Sequence, residues 1–93
     1  MLIKNKIKNI KIGKDIFIYR RGDGDFWLYS PQNLEFHRFN KNGFALLLCI
    51  AKEKFEPQLI KRIKKSDQTQ KFLDYLINHE LITKKHLKKL GLL

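Results

Sequence analysis

In the first half of the chain, short apolar runs are broken by turn residues; in the second half, apolar residues recur at helical spacing. Ile16-Phe17-Ile18-Tyr19 is β-branched and aromatic throughout, which suits a pleated sheet. Asp23-Gly24 follows, and Asp-Gly between two apolar runs is a strong hairpin signal whose two turn residues both need positive φ. Phe26-Trp27-Leu28-Tyr29 is then the return strand. Ser30-Pro31-Gln32-Asn33 reads as a second turn, with proline pre-setting φ at its second position. Leu34 to Phe39 is a third strand, with Leu34, Phe36 and Arg38 on one face and Glu35, His37 and Phe39 on the other. Ile10 and Ile12 are read as a short lead-in to this three-stranded antiparallel meander.

The spacing predicts helices from residue 41 onward. Asn40 is placed to cap the first, over 41–52, where Phe44 to Ala51 is apolar almost all round and so predicts a buried helix. Pro57 fits the first turn of a second helix, whose inward stripe is Leu59, Ile60 and Ile63. Asp67 is expected to cap a third helix over 68–79, with Phe72, Leu73, Leu76 and Ile77 inward and Tyr75 and His79 on a different side. Thr83 is expected to cap a last short helix carrying Leu87 and Leu90 and ended by Gly91. Strands followed by helices indicate an α+β fold with helices packed on one face of the sheet.

At 93 residues the chain is one domain of modest core, 43% hydrophobic and 12% aromatic, too apolar for a disordered protein. Cys49 is the sole cysteine and lies in an apolar run, so it reads as a small core hydrophobe and excludes an internal disulfide. The start of the chain lacks an apolar signal-peptide core, and no stretch approaches the roughly 20 apolar residues of a membrane span. These features predict a cytoplasmic protein without membrane contact.

The net charge of +11 is unevenly placed. Residues 1–14 hold five lysines, residues 61–65 four basic groups and residues 83–93 four lysines, whereas six basic and six acidic groups balance over 15–60. Such clusters serve solubility or attract an acidic partner, either a peptide or a phosphate backbone.

An enzyme is disfavoured, and no cofactor is expected. His37, His79 and His86 have no metal-ligand spacing to one another or to Cys49, and neither a phosphate loop nor a nucleophile elbow is present.

The element order and the junction residues resemble the PqqD-like family of recognition elements for ribosomally synthesised, post-translationally modified peptides (RiPPs). The matching pieces are Phe39-Asn40, Gly43-Phe44, Leu46-Leu47-Leu48-Cys49, Leu59-Ile60-Lys61-Arg62-Ile63, and Phe72-Leu73-Asp74-Tyr75-Leu76 running to Glu80-Leu81-Ile82. The resemblance spans roughly residues 15–82, with a basic lead-in over 1–14 and a basic amphipathic tail over 83–93 outside it. The glycine and threonine frequent between the family's first two helices are replaced here by Ala51 to Pro57.

The resemblance implies a winged-helix-like fold, with a three-stranded sheet followed by three helices and a short helical tail. It also implies a stand-alone binding protein that captures a precursor's leader peptide by strand addition and delivers it to a modifying enzyme, such as a radical SAM enzyme. The peptide would add to the free edge at Leu34, Glu35, Phe36, His37, Arg38 and Phe39, against a wall from the third helix with candidates Lys71, Phe72, Tyr75, Leu76 and His79. An exposed edge is also compatible with a homodimer. The competing reading is a DNA-binding winged helix acting as a transcriptional regulator. Three helices, a hairpin and the positive charge fit it, but Asp74 and Glu80 in and after the third helix repel phosphate, and the hairpin precedes the helices where a wing would follow them. A third reading is a structural or antitoxin-like subunit that binds only another protein.

Overall fold

The structure, a computed structural model, describes residues 7–93. Lys4 and Lys6 of the basic lead-in lie outside the described residues. The chain forms two compact units, one ending at Ala51 and the other spanning Lys52–Leu93.

The first unit carries four strands, β1 (Lys8–Ile12), β2 (Asp15–Arg21), β3 (Asp25–Ser30) and β4 (Glu35–Asn40), in one antiparallel sheet of order β1-β2-β3-β4. Helix α1 (Lys41–Lys52) follows directly. The expected three-stranded sheet is therefore corrected to four strands, while the expected α+β order of strands followed by helices is observed. The segment read as a lead-in is a full strand. Ile10 pairs with Phe17 and Ile12 with Asp15, and both isoleucines are buried. Its turn is Gly13-Lys14, with Gly13 at φ 62°, a left-handed conformation that glycine adopts without a Cβ penalty. Interleaved Asn9 and Lys11 hide the strand in the sequence, because they occupy its exposed face.

The remaining turns also refine the expectation. In the β2–β3 turn only Gly24 has positive φ (79°), and Asp23 does not; the turn is closed by Gly22 N–H donating to the Asp25 carbonyl at 2.8 Å. The β3–β4 turn ends on Leu34 at φ 55°.

The sheet has two distinct faces. Register sets Phe17 and Tyr19, then Phe26 and Leu28, then His37 and Phe39 on one of them. Phe44 of α1 seals that face: its ring stacks on Phe26 (centroids 4.2 Å apart, 5° between planes) and tilts against Tyr19 at 4.9 Å. Asn40 Oδ1 accepts from Gly43 N–H at 2.7 Å, which caps α1 as expected. Phe44, Leu47 and Ile50 are the buried residues of α1, while Ala45 is exposed. The helix expected to be buried all round is thus buried along one stripe.

The second unit contains α2 (Pro57–Lys65), α3 (Asp67–Asn78) and α4 (Lys84–Lys89). Ser66, not Asp67, caps α3: its hydroxyl accepts from Thr69 N–H at 3.1 Å, while Asp67 takes the first helical position. Ser66 also ends α2 through its own N–H to the Ile63 carbonyl, so one residue turns the chain between the helices. Gln70 ties α3 back by donating to the same carbonyl at 3.0 Å.

Helix α3 ends with Glu80 in the left-handed region (φ 58°), while Leu81 N–H reaches the Leu76 carbonyl and Glu80 N–H reaches the Ile77 carbonyl. That pattern is a Schellman motif. It gives Glu80-Leu81-Ile82 a physical reason: the residue before the two apolar ones must turn left-handed, and Leu81 and Ile82 then enter the interior. Thr83 caps α4 as expected, accepting from His86 N–H at 3.1 Å. The tail after Thr83 is packed into the unit, since Leu87 and Leu92 are fully buried and His86 Nε2 lies 3.4 Å from Glu53 Oε2.

Candidate functional site

Among the described residues, β4 bonds to β3 and stands at one edge of the sheet, with no strand paired on its other side. An edge strand presents a row of backbone N–H and C=O groups that another strand can pair with. Among the described residues the other edge of the sheet is β1, which carries exposed Lys8, Asn9 and Lys11. Lysines on an edge oppose strand pairing. β4 carries instead Phe36, whose side chain is 70% exposed. The two edges thus differ in chemistry.

The alternation expected for this strand is observed. Phe36 and Arg38 point to the outer face of the sheet, while His37 and Phe39 are buried on the inner face, at 4% and 5% exposure. Glu35 shares the inner side; its carboxylate is partly exposed and lies 3.4 Å from His37 Nε2, an ion pair when His37 is protonated. Leu34 falls outside the strand, in the preceding turn, with its side chain 76% exposed.

That turn is held in shape. Asn33 N–H donates to the Ser30 carbonyl, and Gln32 Nε2 donates to the Ile16 carbonyl of β2. Pinning the loop to β2 fixes where the exposed Leu34 stands at the start of the edge.

Arg38 is doubly engaged on the outer face. Its Nε donates to Asp25 Oδ2, and its guanidinium carbon lies 5.5 Å from the centroid of the Trp27 ring. The group remains 66% exposed, whereas Asp25 is 13% exposed. The pair therefore turns its positive member to solvent.

The α3 candidates belong to the second unit. Lys71 is exposed, Phe72 is half-buried and Leu76 is fully buried in the interior. Tyr75 and His79 share one side of the helix, as their four-residue spacing predicts, with ring centroids 4.3 Å apart. Tyr75 is the more exposed of the two.

Sequence reasoning missed the outer face of the sheet. Cross-strand register brings Ile18, Tyr29 and Phe36 into one row and Arg20, Trp27 and Arg38 into the next. The signal was present in the alternation of Ile16, Ile18 and Arg20, but the continuous apolar run Ile16–Tyr19 concealed which residues face outward.

No family model, curated protein or solved structure matches the chain. Among the described residues, no helix is long and apolar enough to cross a membrane.

Proposed function

We propose that this protein is a peptide-binding module that captures an extended peptide as an added strand along β4. The observation that carries the reading is the position of β4 at the end of the sheet, where no further strand pairs with it among the described residues, and an exposed phenylalanine where the opposite edge has lysines. Main-chain hydrogen bonds supply affinity in such complexes, and contacts to alternate side chains supply specificity. Phe36 and Arg38 favour a peptide that places an apolar residue and an acidic residue on the outer face. The acidic contact at Arg38 is solvent-exposed and so contributes about 0–1 kcal/mol, biasing encounter more than holding the complex.

Together with the PqqD-like resemblance, this favours the leader segment of a ribosomally made precursor as ligand. The bound leader would be presented to a separate modifying enzyme, such as a radical SAM enzyme. The four-stranded sheet is an addition to the family's three strands, and it leaves the strand before the first helix as an edge.

Calorimetric titration tests the reading, with an acidic, apolar leader-like peptide and a random DNA duplex as ligands at two salt concentrations. Peptide binding in the micromolar range or tighter that persists in high salt supports it. Silence with peptide, and duplex binding that collapses with salt, would replace it with a nucleic-acid function.

A further inference from the structure

We infer that the outer face of the sheet is a stacking platform for single-stranded nucleic acid, which shares Phe36 and Arg38 with the proposed peptide site at β4 and extends beyond it to Tyr29, Trp27 and Arg20. The face is built of two adjacent cross-strand rows. In one, Ile18, Tyr29 and Phe36 stand opposite one another on β2, β3 and β4. In the other, Arg20, Trp27 and Arg38 do the same. The Tyr29 and Phe36 rings lie 4.7 Å apart and are tilted by 39°, giving a continuous aromatic surface beside the guanidinium row.

A single strand has the complementary layout: bases on one side and phosphates along the other. Bases laid over Tyr29 and Phe36 place the backbone along Arg20 and Arg38. The charges on this face support that occupant. Lys11, Arg20 and Arg38 are exposed cations, and the one acid among the outward strand residues, Asp25, is shielded and already paired to Arg38. A second copy of the chain is disfavoured here, because a symmetric contact would set these cations against their own counterparts. Duplex DNA is disfavoured because its bases are already stacked on one another and present no free ring face to Tyr29 and Phe36. Sequence-tolerant stacking of unpaired bases on aromatic rings, with basic groups tracking the backbone, is the general mode of single-strand recognition.

Trp27 is the only tryptophan and lies in the guanidinium row, so its fluorescence reports occupancy. The test titrates the full chain with a single-stranded oligonucleotide of about ten nucleotides, within the site sizes such surfaces take. Parallel arms use the duplex of the same sequence, heparin and phosphatidylglycerol vesicles. The single strand is expected to quench Trp27 and to bind more tightly than the duplex. Phe36→Ala and Tyr29→Ala should each weaken binding roughly five-fold or more. Arg20→Gln and Arg38→Gln should each reduce the log–log salt slope by about 0.7.

Tyr29 lies one strand in from the edge, so Tyr29→Ala with peptide binding intact separates this site from the proposed peptide site. If Tyr29→Ala unfolds, Tyr29→Leu keeps the bulk and removes the ring. The inference is overturned if the single strand does not bind, or if heparin, vesicles or duplex bind as well and neither aromatic variant matters. It is equally overturned if sedimentation shows self-association of the wild type that Phe36→Ala abolishes.

Discussion

Phe44 lies flat on Phe26, ring over ring at 4.2 Å, and this contact joins α1 to the inner face of the sheet. Phe44 is 1% exposed and also meets Tyr19. Removing its ring leaves a cavity at the junction of helix and sheet. Phe44→Ala is expected to cost about 3–5 kcal/mol in urea unfolding. A loss below about 1 kcal/mol would mean that α1 is held chiefly by other contacts.

Much of the fold is legible in the sequence, for identifiable reasons. The helix starts carried their own chemistry: Asn40, Pro57 and Thr83 stand where the sequence placed them. The alternation along β4 correctly set His37 and Phe39 inward and Phe36 and Arg38 outward. Two features were hidden. β1 has only two buried side chains, so its pattern emerges only once β2 is present to pair with it. At the start of α3, Ser66 and Asp67 are both good caps, and local sequence does not choose between neighbours of equal propensity. The outer-face rows depend on register across three strands, which no single segment encodes.

Glu80 turns left-handed to close α3, a conformation that costs a residue with a Cβ about 1–2 kcal/mol. Glycine relieves that strain but enlarges the entropy of the unfolded chain by roughly 0.4–1 kcal/mol. Glu80→Gly is therefore expected to stabilise the protein by about 0.5–1 kcal/mol, seen as a higher denaturant midpoint with unchanged slope. A destabilised variant would show that the Glu80 side chain makes contacts outweighing its backbone strain.

Leu34 presents the same backbone problem with a different expected outcome. It sits at φ 55° with its side chain 76% exposed, so the fold gains little from leucine there. Strained residues retained at a surface often serve binding. Leu34→Gly is expected to leave stability unchanged or raise it by up to about 1 kcal/mol. Under the peptide-binding proposal it should at the same time weaken peptide affinity several-fold. Undiminished affinity would remove Leu34 from the site and leave the strain without a functional explanation.

The lysine-rich segment after Thr83 resembles a solvated tail by composition, yet Leu87 and Leu92 are fully buried and Leu92 N–H bonds to the Leu87 carbonyl at 2.9 Å. Leu87→Ala should cost about 2–5 kcal/mol. Truncation after Ile82 should lower the melting temperature by at least as much as Leu87→Ala does. If truncation left melting unaffected while abolishing binding, the segment would be an interaction tail and not part of the fold.

Strand addition makes a prediction that side-chain docking does not. Successive residues of a strand point their N–H groups to opposite sides, so a peptide lying along β4 turns only every second N–H toward it. N-methylation at those positions removes one edge hydrogen bond each, worth about 0.5–1.5 kcal/mol, and adds a methyl group that the neighbouring strand cannot accommodate. A methyl scan along the peptide should therefore alternate, with losses of several-fold or more at one parity and near-neutral effects at the other. Calorimetry on a series of singly methylated peptides reads this directly. A flat scan would mean that the peptide is held by its side chains, and the open edge of β4 would then not be the binding element.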